Sequence, residues 1–225
     1  MVSPNFGPRR GGLTPELVVI HYTAMTDCEA AKDRLCDAQA EVSAHWLIAE
    51  DGTLHALVDE NMRAWHAGAG SWQGRDDVNS RSIGIELSNR GDHPFSARQF
   101  SALEQLLRDI LKRWNIAPEG VIGHSDMAPG RKIDPGPRFD WLRLARQGLS
   151  VWPEPAARNL APNEDAFTAL AQNFGYPETD LDTLLSAFRL RFRPRATGPL
   201  APQDMGAIAD LAARFGSDGD HWRSS

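Results

Sequence analysis

Three residues in this chain have the chemistry and the setting to hold a metal ion. His124 lies in Gly123-His124-Ser125-Asp126, and Asp134 follows inside Arg131-Lys132-Ile133-Asp134-Pro135-Gly136-Pro137. Far upstream, His21 closes the apolar run Leu17-Val18-Val19-Ile20. Two imidazoles and a carboxylate, each at the end of an apolar segment, can make a three-ligand zinc site whose fourth position is open to water. The prolines and glycines around Asp134 stiffen a loop rather than fill a core. Lys132, two positions before Asp134, stands where a metal site can use it as an electrophile. Taken singly, each residue also has an ordinary reading: a strand-end histidine hydrogen-bonded at a rim, an aspartate before proline making a turn.

The elements that must carry these residues are legible. Residues 17–21 read as a short buried strand. Thr26-Asp27-Cys28-Glu29 has the form of a capping box opening a helix to about Ala40. Segments 44–48 and 53–58 read as a hairpin around Glu50-Asp51-Gly52. Residues 61–81, rich in Gly, Asn and Asp, read as a long loop. Its Trp65 and Trp72 either wall a ligand site or pack down onto the surface. Residues 83–87 are another buried strand, and 121–122 a short one delivering His124. Between them Ser96 caps a helix whose Phe100, Leu103, Leu107, Ile110, Leu111 and Trp114 form a stripe at helical spacing that should pack on the sheet. A last helix spans 140–146, stopped by Gly148. Glu86 sits in the apolar strand Ile83-Gly84-Ile85-Glu86, which is costly unless the carboxylate is paired with an arginine or lies near a metal.

Six motifs occur in order: Val19-Ile20-His21-Tyr22-Thr23, Ser43-Ala44-His45-Trp46, Ala64-Trp65-His66-Ala67-Gly68, Ser82-Ile83-Gly84-Ile85-Glu86-Leu87, Gly123-His124-Ser125-Asp126 and Lys132-Ile133-Asp134-Pro135-Gly136-Pro137. Over residues 3 to 150 the chain resembles the zinc-dependent N-acetylmuramoyl-L-alanine amidases, relatives of the phage lysozyme-amidases and the peptidoglycan recognition proteins. The resemblance is strongest to bacterial enzymes acting on muramyl and anhydromuramyl peptides. It implies an α+β fold with a mixed central sheet flanked by helices, the zinc in a groove along one edge. It also implies Zn2+ on His21, His124 and Asp134, with Glu86 as general base and then acid, and Lys132 opposite the zinc at the developing oxyanion. Tyr22, His45, Trp65, His66 and Asn79 are implied to face the substrate, His45 and His66 either directly or just behind it. The phage enzymes carry Tyr where this chain has Ala44, so activity rests the more on Glu86. The implied reaction is hydrolysis of the amide between the lactyl group of N-acetylmuramic or 1,6-anhydro-N-acetylmuramic acid and L-alanine. A peptidoglycan receptor without activity is the alternative on the same scaffold.

The remaining third divides at a proline-rich connector, residues 151–162, from three helical patterns within 163–216, followed by a tail, 217–225. Gly175-Tyr176-Pro177 and the 187–192 segment resemble, more loosely, a three-helix peptidoglycan-binding domain, expected to fold semi-independently; a docked bundle without a ligand is its alternative. At 225 residues with 41% hydrophobic content, the chain can bury a substantial core. A net charge of -6 disfavours nucleic acid as a partner, and no segment has the apolar length of a membrane span. Cys28 and Cys36 lie about 12 Å apart on one helix, too far to bridge. With no signal core visible before the first strand, the expected setting is a monomer in the cytoplasm, or the periplasm or outer membrane if a signal peptide has been removed. His55, His93 and His221 read as surface residues.

Overall fold

The computed structural model describes residues 2–154 and 160–217; His221 and most of the 217–225 tail lie outside the described residues. In chain order the elements are β1 (Phe6–Pro8), β2 (Leu17–Tyr22), α1 (Cys28–Cys36), β3 (Trp46–Ile48), β4 (Leu54–Ala56), β5 (Met62–Ala64), α2 (Val78–Arg81), β6 (Ser82–Leu87) and α3 (Ala97–Trp114). They continue as β7 (Val121–Gly123), α4 (His124–Met127), α5 (Trp141–Arg146), α6 (Glu164–Phe174), α7 (Leu181–Phe192) and α8 (Pro202–Phe215). The central sheet runs β4-β3-β6-β2-β7. Its strands are parallel except β4, which returns from β3 as the antiparallel edge. The fold is therefore the expected α+β, mixed sheet included.

Side chains of a strand alternate between faces, so each face of this sheet has its own partners. Val18, Ile20, Ile83, Ile85, Leu87 and Val121 pack with Phe100, Leu103, Leu107 and Ile110 of α3. The α3 stripe thus lands where its spacing predicts. Ser96 accepts from the Gln99 amide at one end, and Asn115 closes the other with φ 52°. On the opposite face Leu17, Val19 and Ile122 join a different core. Two faces covered by helices explain why β2 reads as a continuous apolar run rather than an alternating one.

Two local expectations change. The N-cap of α1 is Asp27, not Thr26, and the helix ends at Cys36 because the extended Asp37 turns its carboxylate onto the Gln39 amide, opening a separate turn at Ala38–Ala40. The 61–81 stretch is no uniform loop. It contains β5, paired with β1, and the short α2 that feeds directly into β6.

Helices α6–α8 form a bundle, but the connector in the sequence marks no boundary in the core. Phe167, Phe174, Leu184, Phe188, Ile208 and Leu211 are continuous with Leu17, Val19, Trp72, Ile122 and Met127 of the preceding domain. A buried polar strut crosses the same junction. Arg191 of α7 donates from Nη1 to Asp126 Oδ2 at 2.7 Å and from Nη2 to Val121 O at 3.0 Å and Ser150 Oγ at 3.1 Å. Tyr176 Oη donates to Asp126 Oδ1 at 2.9 Å. The guanidinium also lies 4.4 Å from the centre of the Trp141 ring. The expected semi-independence is therefore not seen in the packing. Among the described residues no helix is long and apolar enough to cross a membrane.

Candidate active site

The parallel strands β6, β2 and β7 end side by side, and the candidate site lies across those ends, with β7 as that edge of the sheet. His21 occupies the end of β2, His124 opens α4 directly after β7, and Asp134 lies in the loop beyond. That loop folds back because the Ser125 amide donates to Asp134 O at 2.9 Å. His21 Nδ1 is 2.9 Å from His124 Nδ1, and Asp134 Oδ2 lies 3.0 and 3.1 Å from the two nitrogens. All three residues are buried.

Hydrogen bonding fixes what this corner presents. His124 Nε2 sits 2.9 Å from the Ala67 carbonyl, which only accepts, so Nε2 carries the proton and, in the neutral ring, Nδ1 keeps its lone pair. Burial lowers the His21 pKa to about 4; neighbouring His124 adds to the effect, while Asp134 works against it. Burial alone would raise the Asp134 carboxyl, yet the adjoining His124 and His21 rings hold it well below the usual carboxylate range. Two imidazoles and a carboxylate thus converge with one ligand atom each, the set lying within 4.8 Å of one another. A tetrahedral zinc with bonds near 2.0 Å needs ligands about 3.3 Å apart, so donor type and spacing fit that ion.

Glu86, the cross-strand register partner of His21, lies beside the corner. Its Oε2 is buried and finds no hydrogen-bond partner among the described residues. Burial first, and then the charge of Asp134, raise its pKa to about 8, with Lys132 offsetting part of the shift. The arginine-paired reading of Glu86 is thereby removed. A groove of about 520 Å³ opens here, lined by His21, Glu86, His124 and Asp134 together with Tyr22, Trp65, His66 and Lys132. Its size suits a small ligand or a peptide segment.

Asn79, expected at the substrate, is placed behind the groove, and His45 takes the second of its two expected places, just behind it. His45 is fully buried, accepts from the Gly84 amide at Nδ1 (2.9 Å) and donates from Nε2 to Met62 O (3.0 Å). Asn79 is 6% exposed, and its Oδ1 accepts from the amides of His66 and Ala67 at 3.0 and 2.9 Å. Both His45 nitrogens and the Asn79 Oδ1 are thus engaged with the backbone. The two tryptophans of the 61–81 segment split between their alternatives. Trp65 lines the groove, whereas Trp72 is buried against Phe174 and Tyr176. Arg131 and Arg34 also line the groove and went unread in the sequence. Arg131 ties the metal loop to the 66–70 turn by donating to Ala67 O (2.7 Å) and to Ala69 O. A bare glycine at 68 was its one signal, since an added Cβ would meet the guanidinium at 3.2 Å.

A mixed sheet whose parallel strand ends gather metal-type ligands, a perturbed carboxyl and a lysine into one groove is the architecture of a hydrolase. The chain belongs to the N-acetylmuramoyl-L-alanine amidase family, whose model matches residues 11–137, and it is an amidase. The AmiD amidase of Escherichia coli is 37% identical over 235 residues, covering 90% of this chain and 84% of that protein. Its structure with anhydro-N-acetylmuramic acid-L-Ala-D-γ-Glu-L-Lys superposes with a TM-score of 0.82 at 31% identity, covering 95% of this chain and 99% of the other. AmpDh3 of Pseudomonas aeruginosa, in complex with anhydromuramic pentapeptide, gives 0.82 at 32% identity and 96% coverage of both chains. The 1,6-anhydro-N-acetylmuramyl-L-alanine amidase AmpD of Haemophilus influenzae is 36% identical over 159 residues, or 63% of this chain and 86% of that one.

Proposed function

We propose that the chain hydrolyses the amide between the lactyl group of N-acetylmuramic or 1,6-anhydro-N-acetylmuramic acid and L-alanine, in cell-wall turnover or muropeptide recycling, with Zn2+ held by His21, His124 and Asp134. The observation that carries this reading is the buried, unpartnered Glu86 oxygen facing the three-acceptor corner in a chain of this family. A zinc ion bound there supplies a water nucleophile at neutral pH and polarises the scissile carbonyl. Glu86, whose buried oxygen has no partner among the described residues, accepts the proton released on attack and returns it to the departing L-alanine nitrogen. The Lys132 ammonium balances the charge that develops on the carbonyl oxygen. Tyr22, Trp65 and His66 form walls that orient the muramyl peptide, and no role at the substrate is kept for His45 or Asn79.

The grouping of His21, Glu86, His124, Lys132 and Asp134 along one groove supports hydrolysis over a binding-only receptor. The test is elemental analysis of the purified protein together with mass-spectrometric detection of peptide released from an anhydromuramyl tripeptide. One zinc per chain and chelator-sensitive release are expected. Undiminished release by chelated, zinc-free protein would refute the assignment.

A further inference from the structure

A chain of hydrogen bonds behind His21 has a definite direction. Ser82 Oγ lies 2.5 Å from the Val78 carbonyl, which cannot donate, so the hydroxyl proton points there. The same oxygen, 3.2 Å from His66 Nε2, must then accept, which places the His66 proton on Nε2 and its lone pair on Nδ1. His66 Nδ1 is 3.1 Å from His21 Nε2, so His21 in turn carries its proton on Nε2. What remains on His21 is the Nδ1 lone pair, aimed at His124 and Asp134.

We propose that Ser82, acting through His66, locks His21 in the Nε2–H tautomer and so keeps its Nδ1 free as a ligand. This rests on the metal reading above and goes beyond it, because it assigns positioning work to two residues that are not themselves proposed as metal ligands. The lock matters because the opposite tautomer has a partner waiting. With the proton on Nδ1, His21 would donate to Asp134 Oδ2 at 3.0 Å, consuming a lone pair on each of two ligands. Reversing the chain would require His66 to donate from Nδ1 and accept at Nε2 from Ser82, pulling the hydroxyl off Val78 O.

The sheet is built to admit this chain. Ser82, Gly84 and Glu86 occupy one face of β6, the face His21 occupies on β2. The His66 ring lies against Gly84 so closely that an added Cβ would sit 2.4 Å from its Cγ. Glycine at 84 is therefore the space His66 needs to reach both Ser82 and His21. Asn79 holds the other side of the arrangement, fixing the His66 and Ala67 amides.

The test is long-range 1H–15N correlation spectroscopy of the zinc-free, full-length protein at neutral pH, alongside zinc affinity by chelator competition. In the unmodified protein both His21 and His66 should appear as Nε2–H tautomers. In Ser82→Ala, His21 should show a population protonated on Nδ1. Its zinc affinity should fall at least ~10-fold, the usual size of an effect on a group orienting a ligand. Thermal unfolding of the zinc-free variant close to that of the parent would separate this from general loosening. Nδ1–H on His21 in the unmodified protein overturns the proposal even if the variant does not fold. Unchanged tautomers and unchanged affinity in a folded Ser82→Ala overturn it equally. Correct tautomers in a protein that binds no zinc would uphold the lock while removing the metal assignment.

Discussion

The short helix α4 faces two ways, and the contrast between its two sides explains much of this molecule. His124 looks into the groove, where lone pairs converge and no proton is shared out to relieve them. Asp126, two residues on, looks into the bundle. There both carboxylate oxygens are satisfied, by Arg191, Tyr176 and the Gly123 amide. One side is an electrostatic deficit waiting for a cation; the other is a closed network with its cation built in. Function resides where polar groups are left unpaired, and rigidity where they are paired, within a single turn of helix.

The sharpest way to separate the two sides is to remove one ligand. His124→Ala should abolish zinc binding and reduce peptide release to background, while the zinc-free fold stays close to that of the parent by circular dichroism. A variant that unfolded outright would show that the groove side is also structural. Glu86→Gln should lower kcat on the order of 100-fold or more with zinc still bound, since a general base is removed but no ligand. A near-normal kcat would mean that another group handles the proton.

On the bundle side, Arg191→Ala should cost about 3–5 kcal/mol in denaturant unfolding, because it strands a buried carboxylate. Omitting residues 163–217 should go further, uncovering Leu17, Val19, Ile122 and Met127 and removing zinc binding along with solubility. If that shortened chain instead cleaved small muramyl peptides normally and failed only on intact sacculi, the bundle would be a separable wall-binding module after all.

A smaller effect follows from the buried titrating groups. In zinc-free protein His21 and His45 are lowered to about 4 by burial, and His66 falls well below its ordinary value for the same reason. The unfolded chain binds more protons across the interval from about 4 to 6.5, so stability should rise with pH there. Glu86 has the opposite sign. Raised to about 8, it keeps its proton in the fold after the unfolded chain has lost it, so stability should decline as pH climbs from about 4.5 through 8. Denaturant midpoints should show that decline between about 6.5 and 8, where the histidines no longer oppose it, and Glu86→Gln should flatten it there. An unchanged alkaline slope in the variant would assign the decline to some other group.

Much of this was legible in the chain, and the reason is physical. The stripe on α3, the apolar run of β2 and the hairpin of β3 and β4 follow from local periodicity, which the packing then obeys. The buried cluster of His21, His124 and Asp134 was legible because each ends an apolar segment within a recognisable motif. Partners that meet only through tertiary structure were not legible. Nothing local in Arg191 announces Asp126, 65 residues away, and proline in the connector suggested a separation that the shared core does not have. Asn79 was placed at the substrate with its loop, and His45 either there or just behind it with its motif. A histidine facing backward into a hydrogen bond looks, in sequence, the same as one facing forward.

The register of β2 against β6 has a further consequence. His21 sits opposite Glu86, Val19 opposite Gly84 and Leu17 opposite Ser82. In each strand the chemical residues occupy one parity and the α3-facing apolar residues the other. Slipping β6 by a single position would bring Ile85 opposite His21 and turn Glu86 toward α3, with hardly any change in the hydropathy of the strand. The same alternation that sorts oil from water in the sheet therefore also keeps the reaction's parts in phase. A one-residue insertion in β6 would scramble the core and the catalytic array in the same stroke, so neither can drift without the other.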